Sequence, residues 1–187
     1  MPRRAGSNTG DLRSLALASA RALLESEGAA DLGLRAIARE AGVTAMALAH
    51  HFGDKNGLLE AVAREGWLEL AEALARTADG GLAAAMRILL EFAEARPRLL
   101  QLMLRPDLLD HLAAARDRCL LEWGRACGAA AHGADPVAAI SWGWALGLAE
   151  IVVARAAPED VLQRGALSDV TGAIATGALG RRPPGAG

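Results

Sequence analysis

The fold is decided by the stretch Leu34-Arg35-Ala36-Ile37-Ala38-Arg39-Glu40-Ala41-Gly42-Val43-Thr44-Ala45-Met46-Ala47-Leu48-Ala49-His50-His51-Phe52, with Gly53-Asp54-Lys55-Asn56-Gly57-Leu58-Leu59-Glu60 behind it. Leu34, Ile37, Ala38 and Ala41 recur at helical spacing. Gly42 is placed to take the left-handed conformation that ends such a helix, and Thr44 is a good N-cap for the next one. A short second helix then runs to Phe52, and Asn56 reads as the cap of a third. Two helices joined by a turn of a few residues containing Gly form the helix-turn-helix pattern. In that motif the second helix enters the DNA major groove.

Outward from this stretch the chain reads as all-α, with about nine helices. A first helix is expected from 12 to about 27, capped by Asp11, ended by Gly28, and lined on one face by Leu12, Leu15, Ala16, Ser19, Ala22 and Leu23. The helix capped by Asn56 continues through Leu58, Leu59, Val62, Trp67, Leu70 and Leu74 to about Ala78, long enough to connect the reading head to the C-terminal helices. Asp79-Gly80-Gly81 breaks the pattern. Helices are then expected over 82–95, stopped by Pro97, and over 99–104, stopped by Pro106. A long one follows from a cap at Asp107 to about Ala131, with Leu108, Leu112, Leu120 and Leu121 inward. Asp135-Pro136 is a strong start signal for a helix to about Ala156, and Pro158-Glu159-Asp160 opens a last one, 159–179. No stretch sustains strand-like alternation. The expected organisation is a flexible N-terminal arm (1–10), a three-helix DNA-binding domain with the helix-turn-helix (11–55), a helical regulatory and dimerisation domain (56–179), and a disordered tail (180–187).

Composition narrows the function classes. The chain has 187 residues, 52% of them hydrophobic and 22% charged, enough for a sizeable core. The formal net charge of −2 excludes a general nucleic-acid coat, so any DNA contact must be local. The first sixty residues are close to charge-balanced, and Lys55 is the only lysine of the chain. Arg3-Arg4 suit an arm onto phosphates or into a minor groove, or a plain disordered tail. Cys119 and Cys127 lack metal-ligand spacing, so neither metal nor cofactor is expected. The N-terminus has no apolar run behind its charges. The apolar run 137–154 is interrupted by Ser141, Glu150 and several glycines, which suits a buried helix better than a membrane span. A cytoplasmic location is therefore expected. No phosphate-binding Gly loop with its Lys, no nucleophile elbow and no HExxH motif is present, so an enzyme is not expected.

Residues 12–62 resemble the tetracycline-repressor (TetR) family of bacterial transcription regulators. The resemblance rests on Ala20 and Leu24, Glu27-Gly28, Leu34-Arg35-Ala36-Ile37-Ala38, Glu40-Ala41-Gly42-Val43-Thr44, His51-Phe52, Asp54-Lys55 and Leu58-Leu59 in that order. It implies a homodimer that binds a palindromic operator through two N-terminal heads, with a small-molecule pocket in the C-terminal domain. Effector binding then spreads or rotates the heads and releases DNA, so that the protein acts as a repressor. The expected DNA-binding residues are Gly33, Arg35, Thr44, Ala45, Met46, Ala47, Ala49, His50 and Lys55.

The sequence departs from the family at two of these positions. Ala49 stands where the family usually has a Tyr that meets phosphate, and Gly33 stands where a Ser or Thr is common. Small apolar residues on the reading helix can touch thymine methyls but offer few base-specific hydrogen bonds. A second function therefore stands beside the first: a family-like helical protein that binds a ligand or partner with weakened or lost operator binding. His51 suits packing beside Phe52, and metal binding by His50 and His51 is disfavoured because adjacent helical side chains point about 100° apart.

For the effector, apolar residues with polar handles are expected to contribute: Met86, Phe92, Met103 and His111, with Trp123, Trp142 and Trp144. Each of these also suits a core. The effector is expected to be small and apolar or aromatic. In regulators of this family the last two helices pair with their copies as a four-helix bundle, which implies Gly143, Gly147, Glu150, Ile151, Val170 and Ile174 for the dimer seam.

Overall fold

The computed structural model describes residues 9–29, 32–77, 81–127 and 136–154. These form nine helices: α1 (Thr9–Glu27), α2 (Leu34–Glu40), α3 (Ala45–Phe52), α4 (Lys55–Ala75), α5 (Gly81–Ala95), α6 (Pro97–Met103), α7 (Pro106–Leu109), α8 (Ala113–Ala126) and α9 (Pro136–Ala154). Among the described residues there is no strand. The expected helix over 159–179, the tail over 180–187 and the arginines of the N-terminal arm lie outside the described residues.

The helices group into two compact units. One is made of the described residues up to Trp67 together with Arg96–Ala114; the other takes Leu68–Ala95 and the described residues from Ala115 on. The long helix α4 thus contributes its first part to one unit and its last part to the other.

In the first unit, α1 packs on α2 and α6, and α2 packs on α3. The buried stripe of α1 is Ala16, Leu17, Ala20 and Leu24. This differs from the expected face: Leu15 is 53% exposed and Ala22 also points outward. An Ala/Leu-rich helix offers two adjacent apolar stripes, and the tertiary partner selects between them. Ile37 of α2, Leu48 and Phe52 of α3, and Leu58, Leu59 and Val62 of α4 complete this core. Helix α6 lies close to α4 because position 66 is glycine: an added Cβ there would sit 2.6 Å from Met103 Sδ and 3.2 Å from Leu99 Cδ1.

The single helix expected from Asp107 to about Ala131 is interrupted. A short turn of helix, α7, begins with Pro106 at its first position. It closes where the Leu112 N–H reaches both Leu108 O (3.1 Å) and Leu109 O (3.3 Å), and α8 starts at Ala113. Asp107 is not a cap here. Its carboxylate is held by the Arg105 guanidinium, with Nε donating to Oδ1 at 3.0 Å and a terminal nitrogen to Oδ2 at 2.6 Å. That pairing holds the Asp107 carboxyl below its ordinary range.

In the second unit, α5 packs on α9. Ala85, Met86, Leu89, Phe92 and Ala93 are the buried face of α5, and Ala138, Trp142, Ala145 and Ala149 that of α9. Alanines at successive helical turns of α9 allow close helix approach. The buried face of α8 is Ala115, Cys119, Glu122, Trp123 and Ala126. Leu121, expected inward, falls off that face and is 44% exposed.

Candidate nucleic-acid interface

The geometry of the α2–turn–α3 segment is set residue by residue. Gly33 precedes α2 in extended backbone (φ −127°, ψ 149°) with no side-chain cap. After α2, Gly42 takes φ 66°, and the Val43 N–H returns to Ala38 O at 2.9 Å. Thr44 is extended (φ −87°, ψ 147°), and its Oγ1 accepts the Ala47 N–H at 3.1 Å. That hydrogen bond satisfies one of the free donors of the α3 N-terminus. Leu48 and Phe52, one turn apart on α3, are both buried and fix which face of the helix points out. Gly53 ends α3 with φ 76°, its N–H donating to Ala49 O at 2.9 Å.

The cap of α4 is Asp54, not Asn56. Asp54 Oδ1 accepts the Gly57 N–H at 2.9 Å, and its carbonyl accepts the Leu58 N–H at 3.2 Å. Asn56 falls inside the first turn, two residues too late to serve. Lys55 is the first residue of α4 and is half-buried.

The outward face of α3 presents Thr44, Met46, Ala49 and His50, with Ala45 and Ala47 half-buried at its sides. Met46 is 82% exposed. The rings of His50 and His51 meet edge-on with centroids 5.7 Å apart, and His51 meets Phe52 in the same manner at 6.4 Å. Arg35 is exposed on α2, as is Arg39 in its last turn. Arg13 of α1 stacks its guanidinium 5.1 Å from the centre of the Phe52 ring. Neither Arg13 nor Arg39 stands out in the sequence. Arg39 shares the α2 segment with Arg35 and could have been found by helical spacing; the Arg13–Phe52 contact has no local signal. All the positions expected to meet DNA thus belong to one segment, from the residue before α2 to the start of α4.

The residues expected around an effector are divided between the two units. Met86, Phe92, Trp123 and Trp142 are all buried in the second unit. Trp123 and Trp142 pack at 5.2 Å between centroids, tilted by 60°. Trp123 Nε1 donates to Ser141 Oγ at 3.0 Å, and Ser141 in turn donates to Ala138 O at 3.0 Å. Glu122, also buried on α8, accepts from Arg125 at 2.8 Å. Met103 is buried in the first unit, where His111 also lies, exposed, with Nδ1 3.8 Å from Glu60 Oε2. Trp144 is 58% exposed on α9.

On the same helix Ile140 and Ile151 are exposed, as are Gly143 and Glu150, and Gly147 is half-buried. A Cβ added at Gly143 or Gly147 would meet nothing within 4 Å. Val170 and Ile174 lie outside the described residues. Among the described residues no group of His, Cys, Asp or Glu could hold a metal ion, and no helix is long and apolar enough to cross a membrane.

Residues 16–62, which hold the α2–turn–α3 segment and the helices flanking it, match the model of the bacterial regulatory proteins of the tetR family. Over these residues the chain is similar to that family. It is 46% identical over 59 residues to the HTH-type transcriptional regulator BetI of Stenotrophomonas maltophilia (strain R551-3). That match spans 31% of this chain and 30% of BetI, so the likeness is confined to less than a third of the relative. Among solved structures, a protein of unknown function from Rhodococcus sp. RHA1 is 28% identical, with a TM-score of 0.66 over 95% of this chain and 96% of that one. The TetR-like regulator LfrR of Mycobacterium smegmatis, solved in complex with proflavine, has the same fold at 24% identity, with a TM-score of 0.57 over 89% of this chain and 95% of its own.

Proposed function

We propose that this protein is a TetR-family homodimeric repressor that binds a palindromic operator through α3 and is released by a small apolar or aromatic effector, acting in the cytoplasm. The observation that carries this reading is the outward face of α3, held rigid by the Thr44 cap and by the buried pair Leu48 and Phe52. A two-fold dimer places two such helices about one DNA turn apart, or a multiple of it. The exposed Ile140, Trp144 and Ile151 of α9, interleaved with the open Gly143 and Gly147, suit the seam with a second copy. The buried aromatic pair Trp123 and Trp142, with Met86 and Phe92, supports an effector of aromatic or apolar character.

The test is a gel-shift titration of the intergenic DNA upstream of the protein's own gene. Affinity should fall steeply as salt rises, because phosphate contacts release counterions. No shift of any genomic fragment at low salt would sink the reading.

One observation favours the second reading, a family member with reduced operator binding. Position 33 carries no side chain and α3 has Ala49 where a phosphate-binding hydroxyl would serve. Gly33 has extended backbone and open space around it, so Thr fits there without strain. Under the first reading, G33T together with A49Y tightens binding to the natural operator by adding phosphate hydrogen bonds. Under the second, the pair leaves specific binding undetectable.

A further inference from the structure

Helix α3 presents a base-reading face that contains no Arg, Lys, Asn or Gln. The bidentate pairs that identify guanine and adenine in the major groove come from those four side chains. Thr44 and His50 are the only side chains on the outward face with hydrogen-bonding atoms, and Thr44 Oγ1 is already an acceptor for the Ala47 N–H. The rest of the face is apolar. Met46 dominates it: at 82% it is more exposed than any other large hydrophobic residue described. Ala49 and His50 follow it at the i+3 and i+4 spacing that puts all three on one side of the helix.

An exposed methionine in the first turn of a helix is not required by the fold. Leu48 and Phe52 already hold α3 in place, and a polar residue at position 46 would serve solubility better. The cations nearby are Arg35 and Arg39 on α2, which packs on α3, and Arg13 against Phe52. They complement phosphate, while the centre of the face complements a methyl group. The one apolar group that duplex DNA shows in its major groove, without modification, is the C5-methyl of thymine.

We propose that Met46, with Ala49 beside it, is the specificity-determining element of α3, and that it selects operator half-sites by contact with thymine C5-methyl groups. This rests on the reading of α3 as the DNA-reading helix. The long, unbranched and polarisable Met side chain can reach and adapt to a methyl where the flanking alanines cannot. Recognition of this kind discriminates T·A from C·G mainly through one apolar contact, so each contacted thymine contributes a modest factor and the half-site carries several.

The test begins with selection of bound fragments from a random duplex pool by the full-length protein. Each thymine of the selected half-site is then replaced in turn by uracil, which removes the methyl and leaves the pairing edge and its O4 acceptor in place. A second arm replaces the same T·A pair by 5-methylcytosine·guanine, which keeps the methyl and changes the hydrogen-bonding groups. At one or two positions per half-site, uracil should weaken binding about fourfold per methyl, and 5-methylcytosine should retain more affinity than unmethylated cytosine. In M46A the penalty for uracil at the position contacted by Met46 should vanish. Position 46 is exposed and Ala is a strong helix former, so this variant folds. Specific binding that is indifferent to every thymine-to-uracil change, or a methyl dependence that M46A leaves intact, overturns the proposal while leaving α3 as the reading helix. Failure to enrich any sequence overturns the underlying reading, and the proposal with it.

Discussion

The carboxylate of Glu25, in the last turns of α1, accepts the backbone N–H of Leu99, in the first turn of α6, at 2.9 Å. Its other oxygen takes the Arg98 N–H at 3.4 Å. Arg98 answers by donating from its guanidinium to the Glu25 carbonyl at 3.0 Å and the Leu24 carbonyl at 3.5 Å. Arg96, which precedes α6, offers no side-chain cap. Each helix end therefore supports the other: an acid from α1 satisfies free N–H groups of α6, and a base from α6 donates to carbonyls in the last turns of α1, of which Leu24 O also accepts the Gly28 N–H at 2.9 Å. Replacing Glu25 by Ala leaves these donors part-buried without an acceptor. The expected loss is about 1–3 kcal/mol of stability, read by chemical denaturation, with E25Q losing less because its amide oxygen can still accept one bond.

At Gly57 the neighbouring backbone leaves no room for a side chain. Gly to Ala inside a helix ordinarily stabilises by about 1 kcal/mol. A Cβ at position 57 would overlap the carbonyl oxygen of Phe52, a backbone atom that cannot swing away. The sign should therefore reverse. G57A is expected to destabilise the reading head by about 2 kcal/mol or more, with a lower melting midpoint and a gel-shift affinity that recovers on cooling.

Local signals in the sequence suffice for the turn and the cap between α2 and α3. Gly42 and Thr44 sit at a turn and a cap whose chemistry is decided within a few residues, and the structure has both as expected. The contacts that hold α6 to α1 are not legible, because Glu25 and Leu99 are distant in sequence and neither residue type announces a long-range cap. The cap of α4 lies two residues before its expected place because Asp54 and Asn56 are both good caps; which one serves depends on where Gly53 turns the chain. The break between α7 and α8 is hidden because no Gly or Pro marks it: Asp110-His111-Leu112 continues the helical spacing in sequence. In α1 and α8 the apolar residues outnumber the buried positions, so Leu15 and Leu121 fit an inward stripe by spacing alone. The residues expected around an effector are large and apolar, and most are buried; side-chain type does not separate a core from a pocket lining.

Cys119 illustrates how burial controls reactivity. It is fully buried on α8, and desolvation, with Glu122 adding its negative charge, pushes the thiol far above its ordinary range. The raised value favours the neutral thiol, so the nucleophilic thiolate is scarce near neutral pH. Alkylation by iodoacetamide at about pH 8, near the ordinary thiol range, should leave Cys119 unmodified in the native protein and label it in denaturant, as mapped by peptide mass spectrometry. Rapid native labelling at Cys119 would mean that α8 opens readily to solvent.

Trp144 gives the sharpest test of the proposed dimer. It is 58% exposed, so the fold of its own subunit does not depend on burying it. It lies on the outward side of α9 between Ile140 and Ile151, with Gly143 and Gly147 leaving the helix surface open beside it. Tryptophans at the centre of an interface typically contribute about 2 kcal/mol or more each, and a two-fold seam uses the residue twice. W144R replaces an apolar contact by two like charges facing each other across the axis. The variant should keep its helical circular dichroism while sedimenting as a monomer at micromolar concentration. Its affinity for a palindromic site should fall at least about thirtyfold, the equivalent of one such contact. A W144R protein that remains dimeric would place the seam elsewhere, and a monomer that still binds the full palindrome with native affinity would show that operator binding does not need the pair.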